Sequence, residues 1–300
     1  MKPIKSKSLL PMILLSIGIG IIGILIPIAY VFLPMLFLTE AMDRGLVKIM
    51  GTFLGLCLVL EALVPRMGMV LFTLFGPLIL ILHYCLVTKK DLLTSLALSS
   101  GLFLLSILVV LQSTGVLGFI QKDNFPQEII QMQREAGIWQ DSMTSYIPAF
   151  ESMVRGMVQY LPAILVVLSL IVTYVTLTFT GRKLLLRGKL VVQPPSFFYF
   201  RLPQGIFAIL GTFLVLGLVF QADLDKFAPL LLNNGLVLVG FLFFIQGLAL
   251  VDFSLVKLRM VRFFKAILLT MIVLTPLLQI PLAFLGLLDS LLNLRRIHLK

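Results

Sequence analysis

Residues 9–39 read LLPMILLSIGIGIIGILIPIAYVFLPMLFLT, 31 positions without one charged side chain. As a single α-helix this stretch would be about 46 Å long, against a bilayer hydrocarbon core of roughly 30 Å. One straight membrane crossing cannot use it all. Pro27 and Pro34 supply breaks, because proline removes a backbone donor and restricts the residue before it. The stretch therefore predicts a first helix from about Leu9 to Ile26 and a short second one ending near Glu40. Lys2, Lys5 and Lys7 precede it like the positive region of a secretory signal. The apolar run continues with no small-residue cleavage site in place, so a retained signal anchor is expected.

The rest of the chain extends the pattern. Of 300 residues, 60% are hydrophobic and only 12% charged, and the mean hydropathy is +1.11. Soluble domains carry roughly 25% charged residues. This balance excludes an ordinary cytosolic enzyme, a disordered chain and a disulfide-stapled secreted module. Further apolar runs cover Leu46 to Leu63, Met69 to Val87, Leu92 to Phe119, Met157 to Thr180, Gly205 to Phe220, Leu230 to Val251 and Ala266 to Leu288. Most are long enough to cross as helices, and none alternates with the period of two that a membrane β-barrel requires. The expected fold is all-α, a polytopic transmembrane helical bundle of eight to ten spans in which residues 1–300 form one integral membrane domain.

The net charge of +11 does not point to nucleic acid, because the chain offers no polar domain to carry a basic face. The basic residues fall between apolar runs. With the N-terminus inside and residues 9–39 crossing twice, the inner loops hold 16 of the 24 Lys and Arg, while the outer loops are acidic. That asymmetry sets the orientation. Nine crossings leave Arg295, Arg296 and Lys300 outside, against the same rule. Pro276 and Pro281 can resolve this by folding the last run into a re-entrant hairpin, provided its backbone is buried in protein.

Two loops are long enough to have structure. In the outer segment 121–155, Asn124 before Pro126 marks a helix start, and Ile129, Met132, Ala136, Trp139, Met143 and Tyr146 recur at spacings of three and four. This predicts one outer amphipathic helix, either lying on the interface or closing an outward pocket as a lid. The inner segment 181–204 runs from basic to aromatic through Arg182, Lys183, Arg187 and Lys189, then Phe198, Tyr199 and Arg201. Such a composition suits an elbow at lipid headgroup level, and it also suits a dock for another protein.

Polar groups inside spans are the candidate site. Asn233 and Asn234 open a late helix, Gln246 lies in its middle and Asp252 near its end, and Gln112 and Asp289 can face the same interior. Gln246 is the deepest, and Gly247 beside it permits close helix approach. Two readings stay open: interhelical hydrogen bonding, and the lining of a ligand cavity. Ser16, Gly20 and Gly23, and the Gly51–Gly55 pair, are small-residue packing surfaces. No GxSxG, HExxH or GxxxxGK[ST] pattern occurs, Cys57 and Cys85 sit in apolar stretches, and no catalytic, metal or cofactor residue is assigned.

Several of these features resemble the YybS-like family of bacterial predicted membrane proteins. The residues concerned are Phe200 to Pro203, Asn234, Gln246-Gly247, Asp252, Lys257, Leu285 to Asp289 and Arg295-Arg296. The resemblance covers nearly the whole chain, and implies a bacterial cytoplasmic (inner) membrane protein of about eight helices with no established activity. More distantly, the paired opening helices resemble the substrate-binding subunits of energy-coupling-factor transporters, which dock on a shared transmembrane subunit. The expected partners are thus membrane lipids and a transporter core or another membrane protein. The functional expectation is a substrate-binding or permease-like transport subunit, with a non-catalytic scaffold for envelope or signalling complexes as the alternative.

Overall fold

Proline and glycine punctuate the apolar runs in the computed structural model, which describes residues 9–122, 124–137, 145–189, 197–202, 205, 207, 212, 215 and 227–295. Helix α1 (Leu10–Leu25) stops just before Pro27, and a 3-10 turn (Pro27–Val31) leads into α2 (Phe32–Arg44). Pro34 falls in the first turn of α2, where its missing N–H is harmless, so it does not break the chain. The chain then forms α3 (Leu46–Leu63), α4 (Met67–Val87), α5 (Leu92–Ser113) and the short α6 (Val116–Ile120). Next come α7 (Phe125–Glu135), α8 (Ile147–Gln159) and α9 (Leu161–Leu186). The last helices are α10 (Phe227–Lys257), α11 (Arg262–Leu274) and α12 (Pro276–Leu292). Among the described residues there is no strand.

The chain divides into two compact units. The first comprises residues 1–125 and 168–194, and the second residues 126–167 and 195–300. In the first, α2, α3 and α4 bury Leu33, Phe37, Leu38, Ile49, Phe53 and Leu78, and the rings of Phe37 and Phe53 meet edge to face at 4.9 Å. Burying such side chains contributes about 1.5–3 kcal/mol each in water, and in a bilayer their close packing is what counts. Gly23 lies under the ring of Tyr30, whose hydroxyl donates to the Gly20 carbonyl at 3.1 Å, and Gly20 faces Leu60. Ser16 is buried and donates to the Ile13 carbonyl. The α3–α4 turn is closed by Glu61, which accepts from the N–H of Arg66 at 2.7 Å and of Met69 at 3.0 Å. Gly51 and Gly55 have open space around them within the chain.

In the second unit, α10 and α12 touch through backbone. A Cβ at Gly247 would overlap the Leu282 carbonyl, and one at Gly286 would overlap that of Phe243. Around them Leu202, Val239 and Phe243 form a small core with Phe207.

Among the described residues, five helices are long and apolar enough to cross a bilayer: α3, α4, α5, α9 and the 232–257 part of α10. The α11–α12 pair makes a sixth if counted as one broken span. This is fewer than the eight to ten expected, for three physical reasons. Helix α1 has only 16 residues, the last run bends by 102° at Thr275–Pro276, and most of residues 205–220 lie outside the described residues. The bend falls at Pro276 alone, while Pro281 stays inside α12. The amphipathic segment after α6 also differs from the expectation. Helix α7 ends at Glu135 because Gly137 turns left-handed at φ 70°, and a second amphipathic helix, α8, follows. Trp139 and Met143 lie outside the described residues. The span expected from Met157 begins instead at Leu161, where Pro162 sits in the first turn.

Candidate functional site

The polar centre of the second unit is built around Gln246, which is fully buried. Its Oε1 accepts the Leu202 N–H at 2.7 Å, and its Nε2 donates to Asp289 Oδ2 at 2.8 Å. Asn293 ends α12 in the left-handed region at φ 48°, turning the chain so that Arg295 folds back on Asp289. The guanidinium donates to Asp289 Oδ2 from Nε at 3.0 Å and from Nη2 at 2.7 Å. It also reaches the carbonyls of Phe198 at 2.8 Å and Phe200 at 2.7 Å. Arg295 and Asp289 expose only 1% and 2% of their side chains.

Removing one member of such a buried pair typically costs about 3–5 kcal/mol, because it leaves an uncompensated charge. The network also serves the backbone. Residues 200–202 are not helical, and their segment's N–H and carbonyl groups need partners that lipid cannot supply. Gln246 and Arg295 supply them. Each nitrogen of the guanidinium beyond the Cδ donates, and both polar ends of Gln246 are used, so this arrangement fixes the geometry of these side chains and of the 198–202 backbone.

The other predicted site residues are dispersed. Asn234 accepts the Ala163 N–H and donates to the Gln159 carbonyl, both at 2.9 Å, and so bridges the break between α8 and α9. Asp252 Oδ1 pairs with Lys265 Nζ at 2.8 Å. Asn233 is half-buried, and Gln112 is exposed near the end of α5 in the first unit. Arg295 was missing from the sequence-derived set. Its spacing from Asp289 across a helix end marked by Asn293 is the signal that reveals it.

In the first unit, Arg187 and Lys189 turn to α2. Arg187 Nη2 meets Glu40 Oε1 at 2.7 Å and its Nη1 contacts Asp43 Oδ2, while Lys189 Nζ reaches Asp43 Oδ1 at 2.7 Å and the Met42 carbonyl at 2.6 Å. Glu40 also holds Arg44 at 2.8 Å. Burial works against the Asp43 charge, but hydrogen bonds and charges from Lys189 and Arg187 outweigh it and hold this carboxyl below its ordinary 3.8. Arg182 stays exposed and Lys183 half-buried. In the second unit, Tyr199 is exposed, its ring 4.1 Å from that of Phe198, and Arg201 is half-buried.

Helix α8 carries an open groove of about 540 Å³ lined by Pro148, Glu151, Ser152, Arg155, Gly156 and Gln159. Among the described residues no group of three or more His, Cys, Asp or Glu could hold a metal ion. Cys57 and Cys85 are buried.

The five helices that, among the described residues, are apolar and long enough to cross a bilayer define an integral membrane protein. The chain belongs to the family described as Predicted membrane protein (DUF2232), whose model matches residues 9–290. No curated protein and no solved structure matches it.

Proposed function

We propose that this protein is a non-catalytic membrane scaffold, an all-helical platform on which other membrane proteins assemble. One observation carries the reading: Gln246, Asp289 and Arg295 satisfy one another and the 198–202 backbone, and two glycines close the helix contact beside them. A ligand site is a concave pocket with a few polar groups turned into it, whereas these polar groups are turned on one another. The charge asymmetry of the loops supports an N-terminus in the cytoplasm, and the YybS-like resemblance supports a bacterial inner membrane.

A substrate-binding or permease-like transport subunit docking on a transporter core, as the likeness to energy-coupling-factor subunits suggests, is the second reading. It is favoured by the groove on α8. Gentle purification of the tagged protein from native membranes, with mass spectrometry of proteins and small molecules, separates the two. Recovery of defined membrane proteins without a bound metabolite is expected for the scaffold. One enriched metabolite, or co-purifying ATPase subunits, would overturn it in favour of transport.

A further inference from the structure

Helix α10 ends at Lys257 and α11 begins at Arg262, so Lys257, Arg259, Arg262 and Lys265 fall directly after a helix able to span the bilayer. Lys265 turns inward to Asp252, while Lys257, Arg259 and Arg262 are exposed. Arg259 adopts φ 55°, where a Cβ meets the neighbouring carbonyl and glycine is favoured. The turn is a full helix-end closure, with Met260 N–H bonded to the Leu255 carbonyl at 3.1 Å and Arg259 N–H to Val256 at 3.0 Å. In the first unit, α4 ends the same way with Lys89 at φ 53°, and α9 uses Gly188 at φ 76° for that position. The chain thus contains the unstrained version of the motif and twice places a cation in it instead.

Strain kept at a surface turn points to a use for the side chain. Helix α11 shows the setting. None of its residues is buried, Phe263, Phe264 and Met271 are exposed, and it leaves the α12 direction at 102°. Helix α12 packs on α10, which is long and apolar enough to span, and the 102° bend turns α11 sharply out of the α12 direction. The Lys265–Asp252 pair ties the first turn of α11 to a point about one and a half turns back from the end of α10. We infer that Lys257, Arg259 and Arg262 form a binding surface for anionic phospholipid headgroups, held at headgroup depth by α11 lying in the interface. Basic clusters at this position attract anionic lipid, and the apolar face of α11 sits among the acyl chains.

The test uses the full chain in phosphatidylcholine vesicles, with a dye on Leu258→Cys; Cys57 and Cys85 are buried and do not label. Quenching by trace headgroup-labelled phosphatidylglycerol or phosphatidylcholine gives the preference for the anionic lipid. The wild type favours phosphatidylglycerol, and K257Q, R259Q and R262Q each lower the ratio by about fivefold at low salt. Arg259→Lys retains the preference. Arg259→Gly loses it while raising the thermal midpoint in pure phosphatidylcholine, since the turn is relieved. Equal quenching by both lipids in the wild type, a preference unmoved when K257Q, R259Q and R262Q are combined, or an R259G midpoint no higher than the wild type's overturns the assignment.

Discussion

Gly247 and Gly286 act through the side chains they lack. Alanine at either drives a methyl into a carbonyl oxygen of the facing helix, so each substitution is expected to destabilise by about 1–3 kcal/mol or more in detergent unfolding. Gly51→Ala and Gly55→Ala meet open space within the chain and are expected to be neutral or stabilising by up to about 1 kcal/mol, since alanine is the better helix former. The same assay reads both pairs, and equal effects would refute the close α10–α12 contact. Asp289→Asn leaves Arg295 charged and unpaired, at an expected cost of about 3–5 kcal/mol. Gln246 and Gly247 were legible in the sequence as a deep polar group beside a small one. Arg295 was not, because a terminal arginine reads as a solvated charge until the chain is seen to fold back at Asn293.

At the scale of elements, the chain shows how breaks in helices are made harmless. Thr275 Oγ1 donates to the Met271 carbonyl at 2.7 Å and Gln279 Nε2 to that of Val273 at 3.3 Å, covering groups freed at the α11–α12 bend. Asn234 does the same for the α8–α9 break from a distant part of the sequence. Asn234→Ala orphans the Ala163 N–H and the Gln159 carbonyl, an expected loss of about 1–3 kcal/mol. Limited proteolysis should then open the chain near residues 159–163, and unchanged protection would remove Asn234 from that role. Prolines made the bend at 275–276 readable in advance. The end of α7 at Glu135 was harder to see, since the apolar spacing runs on past Gly137 while the left-handed turn there stops the helix.

For the whole molecule, composition and apolar run length sufficed to place the chain in a bilayer, because so few charges cannot cover a water-facing surface. Span number was less legible, since hydropathy registers a run's length and not its bends. The charge cluster of Glu40, Asp43, Arg187 and Lys189 carries a pH dependence of defined sign. The Asp43 carboxyl is held below 3.8, so its contribution to stability is fully present above that value and is lost as pH falls through its folded, lower pKa. Crosslinking between α2 and the α9 terminus is therefore expected to be constant from neutral pH down to about 4 and to weaken in stronger acid. Lys189→Gln should shift that weakening to higher pH; an unmoved profile would show that Lys189 does not set it.

The buried clamp also imposes an order of assembly. Phe198, Phe200 and Leu202 leave the ribosome long before Arg295, and until it follows, two carbonyls of that segment lack the side chain that serves them. The segment cannot settle among the helices on its own schedule; it must wait for the end of α12 to be inserted. Chains truncated short of residue 295 should therefore remain open to protease between 197 and 202, and restoring the chain through Arg295 should close that window abruptly.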